Sequence, residues 1–376
     1  MILFLQLLPL KMIPCAKNNL ISLYRDQEYS KSREGYLCLD RNERQIPFSY
    51  GFIKKMEKLS YDQLVRHYPN HNNLLGELSK LTGFREDSHL LTPGADGAIK
   101  SIFEALITKG DKILCLNPSY QMYEIYAKIY QCDFIGLKLD KKFKLDINKI
   151  IKLIKNVKII FLANPNQPTG SLVPRDEIIA LLNLAKNNRT LLVIDEAYYP
   201  FSGSTSINLL KAYENLIIIR SFSKAFGMAG LRLGFAVGEK NIINILSKVA
   251  SAYPVNNFAL SVGSIMLRQP AEYLEYIEKV KESIEVYTPR INKLGCNVLP
   301  TYTNFINIQI PNIIKSDDLV EGLKTNKILI KGSYNHPMLK NSIRVTVPDK
   351  KNMKIFYDSL KNLVCTPRGV IKSKHK

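Results

Sequence analysis

Short apolar runs, each followed by a polar break rich in Gly, Pro or Asn, recur through the first two thirds of the chain. Leu90 to Thr92, Lys112 to Leu116, Val157 to Leu162, Thr190 to Ile194 and Leu216 to Ile219 read as buried strands. Between them lie stretches with helical spacing. Ile99, Ile102, Phe103 and Leu106 mark one apolar face, with Gly110 expected as the C-terminal cap. Ile178, Ile179, Leu181, Leu182 and Ala185 mark another, in a helix starting near Pro174. Phe52, Met56 and Leu59 predict a helix over 50–65, and Tyr36 to Leu39 a short strand before the polar turn Asp40-Arg41-Asn42-Glu43. Strands alternating with helices predict an α/β unit with a largely parallel sheet.

After about residue 265 the pattern changes. A charged amphipathic helix is expected over 271–290, then strands over 304–308 and 342–347, and a last helix near 350–363. This reads as a smaller α+β domain. The expected division is an N-terminal arm (1–45) that packs with the small domain or a partner, a large domain (46–264) and a small C-terminal domain (265–376). No internal repeat interrupts it.

Composition narrows the class. The chain has 376 residues, 46% of them hydrophobic, which is ample for two cores. Six cysteines, at 15, 38, 115, 132, 296 and 365, form no C-x-x-C pair, and several sit in apolar runs. They read as reduced thiols of a cytoplasmic protein. The net charge of +20 raises nucleic acid as a partner. The lysines are scattered, however, and the region before the α/β unit lacks helix-turn-helix spacing, so no nucleic-acid partner is expected. The charge favours an anionic substrate instead. The apolar stretch Met1 to Leu10 is too short to span a bilayer and lacks a basic flank, so no membrane partner is expected. Met12 is an alternative start. His67 and His71 are separated by Pro69 and have no third ligand near them, so no metal is expected.

The chemistry concentrates after the run Leu216 to Ile219, in Ser221-Phe222-Ser223-Lys224-Ala225-Phe226-Gly227, followed by Arg232. A lysine just beyond a buried strand can lose its proton and attack a carbonyl as a Schiff-base amine. Ser221, Ser223 and Arg232 can hold a phosphate. The helix start at Ala95 and Asp96 offers free N–H groups and a positive dipole end to an anion. Tyr120 follows another strand and can stack on a planar ring. Asn164 to Gly170 and Asp195-Glu196-Ala197-Tyr198 close two more strands. All these motifs fall beyond the carboxyl ends of strands, where α/β sheets bind ligands.

Gly94-Ala95-Asp96, Pro118 to Tyr123, Asn164 to Gly170, Asp195 to Tyr198, Ser221-x-Ser223-Lys224 and Ile343-Arg344-Val345 together resemble the fold-type I pyridoxal-phosphate (PLP) enzymes. Within these, the chain resembles the histidinol-phosphate aminotransferase family of the class I and II aminotransferases. The resemblance implies a large domain with a mostly parallel sheet flanked by helices, plus a smaller α+β domain, and PLP as cofactor. It implies Lys224 as the Schiff-base lysine and proton carrier, Asp195 as partner of the pyridinium nitrogen, and Tyr198 and Gln167 as partners of the ring's phenolic oxygen. Tyr120 would stack on the ring. Ser221, Ser223, Arg232, Ala95 and Asp96 would hold the phosphate, joined by Tyr68 from the partner subunit of a homodimer. Arg344 would bind the substrate carboxylate, Lys331 the substrate phosphate, and Tyr24 that phosphate from the other subunit.

Two positions depart from the family pattern. Gln167 stands where an asparagine is usual, and Lys331 where a second arginine is usual. Lysine keeps the charge but loses the planar fork. The activity implied is transfer of an amino group from an amino acid such as glutamate to a small phosphorylated keto or aldehyde acceptor. The alternatives are a PLP-dependent decarboxylase of a phosphorylated amino acid, such as threonine phosphate or serine phosphate, and a PLP-binding regulator without catalysis.

Overall fold

The computed structural model describes residues 17–21, 23, 32–140, 145–332, 334 and 336–365. After a short strand β1 (Leu37–Cys38) come seven strands of one sheet: β2 (His89–Thr92), β3 (Lys112–Leu116), β4 (Asp133–Leu137), β5 (Val157–Ala163), β6 (Leu191–Asp195), β7 (Leu216–Ser221) and β8 (Gly234–Gly238). Their order is β2-β8-β7-β6-β5-β3-β4. Only β8 runs against its neighbours.

Side chains that alternate along each strand go to opposite faces. Ile113, Cys115, Ile159, Phe161, Val193, Ile217 and Ile219 join one core with the helices Gly94–Leu106, Met122–Tyr130 and Lys240–Ser247. Leu114, Leu116, Ile160, Leu162, Leu192, Ile194 and Ile218 join the other, with Ile147–Leu153, Arg175–Asn187 and Asn257–Leu267. Both faces are covered, which is why these strands read as unbroken apolar runs. Each such fully buried side chain contributes about 1.5–3 kcal/mol.

A second sheet forms from β9 (Asn297–Val298), β10 (Phe305–Gln309), β12 (Lys331–Gly332) and β13 (Ser342–Thr346), in the order β12-β13-β10-β9, all antiparallel. Its core joins Ile306, Ile308, Ile343 and Val345 to Ile277 and Val280 of helix Pro270–Asn292 and Phe356 and Leu360 of helix Lys350–Cys365. The early chain is tied to this unit. β1 pairs in parallel with β11 (Ile328–Leu329), and Thr346 N donates to Leu39 O at 2.8 Å.

Two expectations about elements are corrected. The helix expected over 50–65 is two helices, Tyr50–Glu57 and Tyr61–Arg66. Phe52 is fully buried in the core, whereas no residue of the second helix is buried, so nothing holds the two in one line. Gly110 does not cap the helix Gly94–Leu106. That helix ends where Ile107, itself buried, turns extended into the core. Gly110 takes φ +85° in the following turn and donates its N–H to Gln131 O. The strand β4, the helix Met122–Tyr130 and the antiparallel strand β8 were not among the elements expected from sequence.

Candidate active site

β6 and β7 end side by side, with Asp195 the last residue of one and Ser221 the last of the other. β2, separated from β7 by β8, feeds the helix Gly94–Leu106. These ends, with the turn 222–232, enclose a cavity of about 340 Å³. Ala95, Asp96, Tyr120, Gln167, Asp195, Tyr198, Ser221, Ser223, Lys224 and Arg232 all line it. A wider cavity of about 930 Å³ adjoins it, sharing Arg41, Tyr120, Gln167 and Lys224, and is also lined by Lys331 and Arg344.

At one end is an anion cradle. Ser223 N donates to Ser221 Oγ at 3.1 Å, and Arg232 Nη1 to Ser223 Oγ at 3.4 Å. The helix N-terminus at Gly94 to Asp96 faces the same cavity. Gly94 has φ +75°, and a Cβ there would stand 2.8 Å from Arg232 Nη2, so only glycine allows this approach. Arg232 itself is held at φ +52°, a left-handed conformation rare for arginine and costing on the order of 1 kcal/mol.

At the other end is a buried carboxylate. Tyr123 Oη donates to Asp195 Oδ2 at 2.8 Å, and Ala197 N to Oδ1 at 3.0 Å. Burial pushes Asp195 up to about 6, outweighing both hydrogen bonds. Such a carboxylate stays ionised best beside a cation.

Between the two ends stands Lys224. Burial lowers its amine to about 8, helped by Arg344 and Arg232 and opposed by Glu43. Its Nζ donates to Arg41 O at 3.1 Å and Asn42 O at 3.3 Å. Tyr198 donates to Gln167 Oε1 at 2.6 Å and accepts from Asn42 Nδ2 at 2.8 Å. Burial pushes the Tyr198 phenol well above its usual range, so it keeps its proton. Tyr120 is half-buried and meets Tyr123 edge-on at 5.7 Å.

Arg344 is buried, donates from Nη2 to Asp40 O at 2.9 Å, and has an Nε with no hydrogen-bond partner. An anion that satisfied this donor would remove a desolvation cost of about 1–3 kcal/mol. Tyr68 is not part of this cavity. It is 78% exposed and stacks on Tyr253 at 4.4 Å. Tyr24 and Met12 lie outside the described residues. Among the described residues no group of three metal-ligating side chains occurs, and no helix is long and apolar enough to cross a membrane.

The aminotransferase class I and II family profile matches residues 56–360. The chain belongs to the class I and II aminotransferases. It is 32% identical over 332 residues to a histidinol-phosphate aminotransferase of Thermoanaerobacter pseudethanolicus, covering 87% of this chain and 92% of that one. The histidinol-phosphate aminotransferase from Clostridium acetobutylicum superimposes with a TM-score of 0.80 at 26% identity, over 87% of this chain and 99% of that one. The fold is shared as well with the L-threonine-O-3-phosphate decarboxylase from Porphyromonas gingivalis, with a TM-score of 0.76 at 24% identity, over 88% of this chain and 100% of that one.

Class I and II aminotransferases depend on PLP, and this chain is a PLP-dependent aminotransferase. The cavity suits that cofactor on its own terms. It offers an anion cradle that only glycine permits at position 94, a buried carboxylate, and an amine of lowered basicity between them.

Two residues that hydrogen-bond the candidate site residues were not legible as such. Asn42 read only as part of a polar turn. Tyr123 lay in a noted motif, but its bond to Asp195 depends on β3 and β6 being brought together around β5.

Proposed function

We propose that this aminotransferase moves an amino group from an amino acid such as glutamate to a small phosphorylated keto or aldehyde acceptor. One observation carries the substrate class: Lys331 and Arg344 both line the wide cavity that opens onto Lys224. They form a doubly cationic wall suited to a carboxylate and a phosphate, with the Arg344 guanidinium offering a planar fork for the carboxylate.

In this reading PLP, when bound, supplies an electron sink for charge developing at the substrate's Cα. Lys224 would hold the cofactor through its amine and would carry a proton at the substrate's Cα. The lowered basicity of its amine supports both roles. Asp195, oriented by Tyr123 and Ala197, holds a proton on the ring nitrogen. Tyr198 and Gln167 bind the phenolic oxygen, and Tyr120 covers the ring. Ser221, Ser223, Arg232 and the N–H groups at Ala95 and Asp96 bind the phosphate. Gln167, although longer than asparagine, reaches Tyr198 at 2.6 Å, which supports its place beside the phenolic oxygen.

The working unit in this reading is a homodimer in which Tyr68 enters the partner's cavity. The patch around it supports this: Val65 is 84% exposed, and Tyr61 and Tyr253 are exposed beside it. The division into an arm (1–45), a large domain (46–264) and a small domain (265–376) is part of the same reading, supported by the seven-stranded and four-stranded sheets, which share no strand. A cytoplasmic setting is supported by the free thiols at Cys38, Cys115, Cys132, Cys296 and Cys365.

The test is the visible spectrum of PLP-loaded protein before and after L-glutamate. Conversion to the pyridoxamine form, with release of 2-oxoglutarate, is expected. An unchanged spectrum with glutamate, together with carbon dioxide released from a phosphorylated amino acid, would overturn the reading in favour of decarboxylation.

A further inference from the structure

Asn42 lies in the turn after β1. It is 1% exposed and has φ +56°, a left-handed conformation that asparagine reaches more readily than most residues. Its N–H donates to Thr346 Oγ1 at 2.9 Å, and that hydroxyl turns its proton to Asn42 Oδ1 at 3.4 Å. This contact takes up Oδ1 and leaves Nδ2 for a second partner. Nδ2 therefore faces Tyr198 and donates to its hydroxyl. The Asn42 carbonyl accepts from Lys224 Nζ and, at 3.1 Å, from Asn304 Nδ2.

A phenol has one proton to give. With Asn42 donating to the Tyr198 oxygen, that proton is turned toward Gln167, which lines the cavity. We propose that Asn42 is a positioning residue of the active site, whose side-chain amide holds Tyr198 as a hydrogen-bond donor toward the cavity and whose carbonyl receives the Lys224 amine. This rests on the roles of Lys224 and Tyr198 given under Proposed function. A donor aimed at the cofactor's phenolic oxygen draws charge away from it, which lowers the pH at which the visible band of the loaded protein titrates. Tyr198 also faces Arg344 of β13, Asp195 of β6, Tyr334 and the Lys224 amine, 5.9 Å over its ring, and the two Asn42 variants below leave all four in place.

Two variants test the proposal, Asn42→Asp and Asn42→Gly. Both residues tolerate φ +56°. Aspartate replaces the donor by an acceptor and pulls the Tyr198 proton away from the cavity. Glycine removes the amide but keeps the carbonyl. The visible absorbance of each PLP-loaded protein is titrated against pH, with Lys224→Ala as control. The expected midpoint rises by about one pH unit for Asn42→Asp and by less for Asn42→Gly. A purely structural role would lower the melting temperature and leave the midpoint in place. Midpoints equal to wild type in both variants would overturn the proposal alone. A wild-type band that Lys224→Ala leaves intact would overturn the underlying reading of Lys224 with it. Asn42→Gly carries the test by itself where Asn42→Asp loads poorly.

Discussion

Lys331 of β12 and Arg344 of β13 are direct cross-strand partners. Residues opposite each other in an antiparallel pair share a face, with Cβ atoms about 4.5–5.5 Å apart, and like charges so placed are destabilising. An anion lying over both relieves that cost. Replacing Lys331 by Ala is therefore expected to raise KM for a phosphorylated acceptor by about 10- to 100-fold, or ~1.4–2.7 kcal/mol. The dephosphorylated acceptor should be affected far less. Steady-state kinetics on the matched pair is the check, and equal losses would place the phosphate elsewhere.

The amine of Lys224 must be neutral to attack the cofactor. With its pKa lowered to about 8, roughly one molecule in ten is neutral at pH 7. The rate of PLP loading onto apoprotein is therefore expected to climb about tenfold per pH unit below 7 and to level off above about 8. Stopped-flow absorbance reads this directly. The linkage to stability has a definite sign. Between about 8 and the 10.5 of an ordinary lysine the folded apoprotein binds fewer protons at Lys224 than the unfolded chain does. That component of stability therefore rises with pH across the window and is absent below it. A loading rate still climbing tenfold per unit above pH 9 would mean that burial does not lower this amine.

Arg220 and Glu196 form a buried ion pair at 2.9 Å, with side chains 3% and 2% exposed. Glu196 also accepts from Thr205 Oγ1 and Ser206 N. The pair braces the ends of β6 and β7, next to Asp195 and Ser221. Arg220→Met strands a buried carboxylate and is expected to cost about 3–5 kcal/mol in urea denaturation. The double variant with Glu196→Leu should recover much of that loss. A single-variant cost below about 1 kcal/mol would mean that the pair is solvated.

Tyr68 sits outside its own chain's cavity, so complementation tests the shared site. Lys224→Ala and Tyr68→Ala homodimers are each expected to be impaired, the first completely. Mixed and refolded together, they form hybrids in which one site has both Lys224 and the partner's Tyr68. Activity above the Tyr68→Ala level, normalised to that chain, is expected. No gain on mixing would mean that Tyr68 serves only its own chain or none.

The strand cores, and the candidate residues at their ends, were legible in the sequence. β5, β6 and β7 are covered on both faces, so each is a run of apolar residues that declares itself without knowledge of its neighbours. Lys224, Asp195 and Arg232 stand just beyond such runs, where a parallel sheet gathers its ligands. Contacts between distant segments were a different matter. Tyr123 meets Asp195 from 72 residues away, and Asn42 meets Tyr198 from 156 and Thr346 from 304. No local pattern marks such residues, because a polar residue in a turn looks the same whether it faces water or a buried phenol. Only the tertiary structure, by pairing β1 with β11 and closing the early chain over Lys224, decided that Asn42 belongs to the site and Tyr68 to its outer surface. The physical reason is range: strand burial is written in neighbouring residues, whereas hydrogen-bond partnership is settled by which segments the fold brings within about 3 Å.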